Sequence, residues 1–312
     1  MNNFLQSEIW AEANRKMGHK AIYEKVEGAV VLMIIKDAKR GRYMEIPGGP
    51  LIEWGDAKAV KKFFEKIRKI AKENRCGFIR FRPQIFATAD NMALMKKIGA
   101  RRAPMHLHAE RTVILDLTKS EEELMAEMRR QTRYEVRRAE KMGITVKKSN
   151  SVAIFKEFHA EQSTTAARQH FIPPDLKTLL AERDAFSDAA VIYTSYTPED
   201  EALAYGLILK YGEEADYFEA ASTEKNKKLP GAYALQWQII RDLKKEGFSR
   251  YNLWGIAPPE QPNHRYAGVT TFKTGFGGEI VDFVPAEDIV VSWPKYLINL
   301  VVENIRKKRR HL

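Results

Sequence analysis

Residues 270–283 read TTFKTGFGGEIVDF and set one lysine, Lys273, between Phe272 and a Gly-Phe-Gly-Gly turn at 275–278. Two readings are open for a cation in that setting. It snorkels from a strand end to water while its apolar stem covers its neighbours. Alternatively it is held in place because a reaction develops negative charge on oxygen nearby, which a fixed cation stabilises. A second charged pattern, Arg129, Arg133, Arg137 and Lys141, recurs every fourth residue and so shares one face of a predicted helix. None of Glu127, Glu135 and Glu140 stands at i,i+4 to a stripe residue to neutralise it, so the stripe reads either as a solvated face or as one turned to phosphates.

Other chemistry is thin. No HExxH, P-loop or GxSxG motif occurs. His106 and His108 lack a companion cluster of cysteines or carboxylates, so no metal site is expected. Cys76 is the one cysteine, which excludes an intramolecular disulfide and points to a reducing compartment; at a helix–strand turn it reads as structural. A coenzyme A site calls for a pyrophosphate-binding glycine turn at a helix N-terminus. The nearest match, RKMGHK at 15–20, ends in lysine where a small residue is required, which counts against that cofactor.

The net charge of +11 favours polyanionic partners, meaning RNA, nucleotides or an anionic membrane surface, or else a solubilising basic surface. The longest apolar run, residues 29–35, is too short for a membrane span, and the first ten residues lack a signal-peptide core. A cytoplasmic protein, peripheral to a membrane at most, is expected. The basic run at 306–310 reads as a frayed solvated end or as a contact for RNA or anionic lipid.

The elements that must position these residues repeat. Val60, Phe63, Phe64, Ile67, Ile70 and Ala71 fall at helical spacing before a turn at Gly77 and the strand FIRF. Leu235, Trp237, Ile239, Ile240 and Leu243 do the same before Gly247 and the strand YNLWGI. Between them, residues 107–146 read as strand, helix, strand, with Ser120 and Glu123 as a capping box. Three further strands follow, AAVIYTSY, ALAYGLILKYG and ADYFEAAST. Two copies of one α+β, acyltransferase-like domain are expected, with bounds at 1–107 and 108–293. A C-terminal helix over 294–312 is expected to pack on the first domain through Tyr296, Leu297, Leu300 and Val301.

TRYEVRRAEKMG, the block running from LILKYGEEADYFEAAST through YALQWQII to YNLWGI, and FKTGFGG together resemble the Fem family of peptidoglycan-bridge aminoacyltransferases. RYMEIPGGPLIEWGD is similar to that family's proline-glycine-proline turn. The resemblance covers most of the chain and implies two tandem acetyltransferase-like (GNAT-like) domains. It implies transfer of an amino acid from aminoacyl-tRNA, as co-substrate and without a cofactor, to the stem-peptide amine of a peptidoglycan precursor. It sets Lys273 beside the ester carbon of the charged tRNA and Phe272 against its 3′ end. With tRNA as donor, the stripe of Arg129, Arg133, Arg137 and Lys141 supplies candidates for its phosphates. Tyr217, Trp254, Arg80 and Arg168 become candidates for the acceptor cleft.

Elementary chemistry agrees with that assignment. Ester aminolysis passes through an oxyanion, the acceptor amine is its own nucleophile, and aromatic stacking holds an unpaired base whatever its identity. Departures from the family pattern are Gly48 where a basic residue is common and Glu219 where a second tyrosine is common. In TTAARQHFIPPDLKTLL, Pro173, Pro174 and Leu180 stand where acceptor partners fall. The chain is expected to act as a monomer. Two alternatives are a non-catalytic RNA- or membrane-surface-binding protein on the same tandem fold, and a coenzyme-A-dependent N-acyltransferase.

Overall fold

The computed structural model describes residues 3–39, 41–169, 172–259, 264 and 266–310. The chain forms two compact units: Asn3–Glu110 with the segment from Asp282 onward, and Arg111–Val281.

The first unit opens with α1 (Glu8–Lys16), started by the Ser7 hydroxyl, which accepts from the Trp10 amide. Strands β1 (Lys20–Val26), β2 (Ala29–Ala38) and β3 (Gly41–Gly48) form an antiparallel meander. Helix α2 (Ala57–Glu73) then crosses to β4 (Phe78–Pro83), which lies parallel to β3. A parallel pair needs such a crossover. Val60, Phe63, Phe64, Ile67 and Ala71 of α2 are all buried against the sheet residues Met33, Ile46, Ile79 and Phe81 in one core. Helix α3 (Ala89–Lys97) and the short β5 (Arg101–Arg102) complete the N-terminal part. The 15–20 segment proposed from sequence as the nearest coenzyme A turn closes α1 at its C-terminal end, the wrong pole of a helix for a pyrophosphate.

The second unit repeats the plan. After β6 (Arg111–Asp116), the expected single basic helix is two: α4 (Glu121–Glu127), opened by the Ser120 and Glu123 capping box, and α5 (Arg130–Lys141). Met128 and Arg129 between them are extended. Then come β7 (Thr145–Ser149), α6 (Val152–Gln169), α7 (Leu176–Phe186) and a meander of β8 (Ala190–Tyr196), β9 (Ala202–Tyr211) and β10 (Glu214–Ser222). Helix α8 (Gly231–Lys245) crosses to β11 (Arg250–Gly255), parallel to β10. Leu235, Trp237, Ile239, Ile240 and Leu243 of α8 share a core with Leu124, Met128, Val136 and Tyr251. Lys273 does not end a strand: α9 (Ala267–Thr274) carries it in its last turn, before β12 (Glu279–Asp282).

After β12 comes β13 (Glu287–Val290), and among the described residues the two sheets run β1-β2-β3-β4-β13-β5 and β12-β6-β11-β10-β9-β8-β7. Strand β13 hydrogen-bonds to β4 on one side and β5 on the other. It therefore draws the chain into the first unit's sheet from Asp282, earlier than the boundary at 294 expected from sequence. The last helix, α10 (Trp293–Arg310), buries Tyr296, Asn299 and Glu303, whereas Leu297 and Val301, assigned above to its packed face, are exposed.

Candidate functional site

The two units differ where their parallel strands end. In the first, β3 and β4 stay paired from Met44 with Ile79 to Gly48 with Pro83. Asn3 and Gln6 donate to the Gly48 and Pro47 carbonyls there, at 2.7 Å each. Gly48 has φ +64°, and a Cβ on it would lie 2.2 Å from Asn3 Nδ2, so no basic side chain fits at this position. In the second unit, pairing of β10 with β11 stops at Asp216 with Asn252. Trp254 then takes φ +62°, its amide donating to Asn252 Oδ1 at 2.9 Å, and β11 leaves its register with β6 between Asn252 and Gly255. The carboxyl ends of separated parallel strands are where α/β folds accept ligands.

Lys273 enters that opening. Its ammonium donates to the Gly255 carbonyl at 2.8 Å and lies 5.8 Å from the centre of the Tyr217 ring. The residue is buried, and burial brings its pKa down to about 7, against the attraction of Glu219, which raises it. The snorkelling reading therefore fails: the amine is inside, not in water.

Helix α9 is anchored through the glycine turn. The extended Arg129 has its amide outside the helix ladder, and it donates to the Gly275 carbonyl at 2.9 Å. Gly277 has φ +84°, and a Cβ on it would press at 2.9 Å on Glu127 Cβ. The break between α4 and α5 thus seats the turn that aims Lys273.

A β-bulge supplies the second charged group. Tyr217 and Glu219 of β10 oppose neighbouring residues of β9, Ile208 and Leu207, with Phe218 inserted between them. Strand alternation would put residues 217 and 219 on one face. The bulge instead leaves Tyr217 in the core beside Leu235 and turns Glu219 to α6, where Gln162 Nε2 donates to it at 2.7 Å. Burial pushes the Glu219 carboxyl up to about 7, opposed by the Gln162 hydrogen bond and the Lys273 charge. Glu182 of α7 is buried beside it, and burial together with the Glu219 charge drives its carboxyl well up. Among the described residues Glu182 Oε2 and Gln162 Oε1 have no hydrogen-bond partner. Reading the sequence for function passed over Glu182 and Gln162. Their signal was present: Gln162 continues the buried spacing of Phe155 and Phe158, and Glu182 sits between Leu179 and Phe186 on one face.

The other site residues divide. Tyr217 is buried, its hydroxyl pushed up to about 12 by that burial. Trp254 is half-buried and meets Phe218 edge-on at 5.4 Å. Phe272 is half-buried in an aromatic trio, 5.2 Å from both Tyr233 and Phe276. Arg129, Arg133, Arg137 and Lys141 pair with no carboxylate among the described residues. Arg133 does donate to the Ala126 and Met128 carbonyls that end α4. Arg130, Arg133, Arg137, Arg138 and Lys141 outline an open groove around Tyr134, which is 58% exposed.

Arg80 and Arg168 do not fit the acceptor role given them from sequence. Arg80 lies in the other unit, buried, with four donor contacts of 2.8–3.1 Å to Asp288 and Glu303. It holds β4, β13 and α10 together. Arg168 is taken up by Glu224, Thr165 and the Ser222 carbonyl, tying α6 to the end of β10. Burial pushes the Cys76 thiol up to about 11, so it stays a buried thiol. Among the described residues no cluster of His, Cys, Asp or Glu is placed to hold a metal.

Two meander-crossover units, one closed and one opened around a buried lysine, define a tandem acetyltransferase-like protein. The chain belongs to the FemAB family, whose model matches residues 1–201 and 176–303. It is 30% identical over 106 residues to the aminoacyltransferase FemB of Staphylococcus epidermidis, a match covering 34% of this chain and 25% of that protein. The matched stretch thus spans a quarter of that relative's length. The FemX crystal structure shares the fold at a TM-score of 0.82, with 17% identity over 97% of this chain and 95% of the other. The C-terminal domain of a lysylphosphatidylglycerol synthetase from Agrobacterium fabrum follows at 0.60, with 13% identity over 95% and 92%.

Proposed function

We propose that this chain moves an amino acid from aminoacyl-tRNA to the stem-peptide amine of a peptidoglycan precursor, either lipid-linked or nucleotide-linked. The observation that carries the proposal is the buried Lys273 ammonium, held on the Gly255 carbonyl at the opening between β10 and β11. Membership of the FemAB family, and a relative named as an aminoacyltransferase, support it.

In this reaction the acceptor amine attacks the ester carbon, and the electron pair of the carbonyl moves onto its oxygen. The C–O bond to the tRNA 3′ ribose then breaks, and the proton lost by the amine replaces that bond on the ribose oxygen. Lys273 stabilises the oxyanion between the two steps. No protein nucleophile is needed. Phe272 stacks on the 3′ end, Arg129, Arg133, Arg137 and Lys141 meet tRNA phosphates, and Tyr217 and Trp254 border the acceptor. The enzyme works as a monomer in the cytoplasm, where charged tRNA is available, and touches the inner face of the membrane peripherally.

The test is transfer by the purified protein from total charged tRNA to lipid-linked and nucleotide-linked precursors, read by mass spectrometry. A precursor heavier by one amino-acid residue is the expected product. An unchanged precursor in both cases, with folded protein and intact charged tRNA, sinks the proposal.

A further inference from the structure

Helix α10 buries one face, and its apolar stripe lies on the other. Tyr296, Asn299 and Glu303 turn inward, where Tyr296 and Arg80 bind Asp288 and Arg80 binds Glu303. On the opposite side Trp293, Leu297, Val301 and Ile305 recur every fourth residue, with Ile298 beside them, and each is between 46% and 57% exposed. At 100° per residue these five fall within one arc facing away from the buried arc, and they run along roughly 18 Å of helix. Scattered exposed apolar residues need no explanation, but a continuous stripe of five does.

The charges around the stripe say what it meets. Glu303 is the one carboxylate in α10, and it is taken up by Arg80. Lys295 and Arg306 are exposed at the margins, and the Arg101 guanidinium lies 5.0 Å over the Trp293 ring. The helix sequence ends in five consecutive basic residues at 306–310, of which the side chains at 308–310 lie outside the described residues. An apolar stripe headed by tryptophan, on a helix whose own charges apart from Glu303 are all basic, is complementary to an anionic lipid interface, where acyl chains and headgroups are met together. A protein partner would have to bring its own carboxylates to match. Among the described residues no helix is long and apolar enough to cross a membrane, so contact is in the plane of the surface.

We propose that the outward face of α10 is a docking surface for an anionic phospholipid bilayer, with Trp293, Leu297, Ile298, Val301 and Ile305 entering the headgroup boundary and the flanking basic residues meeting lipid phosphates. This deepens the peripheral contact proposed above by naming its surface. It is read without transfer activity, so either idea can fail while the other stands.

The experiment is co-sedimentation of the full chain with vesicles of phosphatidylcholine alone and of phosphatidylcholine with phosphatidylglycerol. The wild-type chain should pellet with the anionic vesicles, release with added salt, and stay in solution with the neutral ones. Leu297→Asn with Val301→Asn should lower binding by about tenfold or more, through the loss of apolar burial and without any change of charge. Its melting temperature should hold, because both side chains face solvent. Tryptophan emission should shift to the blue on binding, and Trp293→Phe should remove the shift. The proposal is overturned if the wild-type chain ignores anionic vesicles or the double variant binds as wild type does. It is also overturned if sedimentation shows a wild-type dimer that the double variant dissolves, which would make the stripe a face between two copies.

Discussion

The Lys273 ammonium donates to the carbonyl of Gly255, the last residue of β11, at 2.8 Å. A buried cation on a neutral carbonyl is held without being neutralised, and it can turn to a stronger acceptor when one forms. This is the geometry on which the proposed transfer depends.

Replacing Lys273 by Met keeps the apolar stem and removes the cation. Turnover should fall by about 100- to 1,000-fold, the usual cost of one oxyanion donor. Acceptor affinity should barely change, because the interaction is made mainly in the transition state. Melting should occur at the same or a higher temperature, since burying the charge costs stability. Undiminished turnover in a folded Lys273→Met protein would mean that the lysine serves the fold.

The pH dependence of the rate tests Glu219. Lys273 titrates near 7, lowered by burial and held up by Glu219, so its ammonium form is lost as pH rises past that point. Glu219→Gln removes the anion, and the alkaline loss of rate should begin at lower pH. The acid limb, set by the acceptor amine, should stay where it is. An unmoved alkaline limb in the folded variant would remove Glu219 from any part in setting the lysine's charge.

Stability should respond to the same pair with opposite signs. The Glu219 carboxyl, raised from 4.5 to about 7, contributes stability that is present below 4.5 and lost as pH rises through about 7. Lys273, lowered from 10.5 to about 7, contributes stability that is present above 10.5 and lost as pH falls through about 7. Lys273→Met should therefore flatten the gain in melting temperature between neutral and alkaline pH. Calorimetry over that range decides it.

The basic stripe has its own measure. Changing Arg129, Arg133 and Arg137 together to Ala should weaken tRNA binding and lower the salt slope by about one for each phosphate no longer neutralised. Affinity and slope both unchanged, in filter binding across salt concentrations, would make the stripe a solvated face.

Arg80 makes a contrasting case. Arg80→Met takes the guanidinium from Glu303 and leaves Asp288 with the Tyr296 hydroxyl, so unfolding in denaturant should show a loss of about 3–5 kcal/mol. Turnover per folded molecule should be unaffected. A stable variant with impaired acceptor binding would return Arg80 to the site.

Much of the site could be read from the chain because it is local. FKTGFGG marked Lys273 by its neighbours, and the arginine stripe follows from helical period alone. Arg80 could not be judged that way. Its partners Asp288 and Glu303 lie 208 and 223 residues away, and a guanidinium carries no local sign of whether it faces a ligand or its own carboxylates.

By itself the sequence determined the repeated meander, crossover and strand, because apolar spacing within each segment decides which face of a helix or strand must be covered. It also determined the resemblance to the FemAB family and the residue at the centre of the proposed chemistry. Tertiary structure decided the rest, for reasons that lie between segments. The bulge at Phe218 turned Glu219 to the opposite face from Tyr217, a one-residue shift set by pairing with β9. The early end of β10 pairing with β11, against the longer pairing of β3 with β4, made one unit open and the other closed. Strand β13 fixed which side of α10 is buried: Asp288 on it accepts from Tyr296, and Arg80 joins Asp288 to Glu303. Apolar spacing alone grouped Tyr296 with Leu297 and Val301 on one packed face, and only the position of a buried carboxylate 208 residues from Arg80 could separate them.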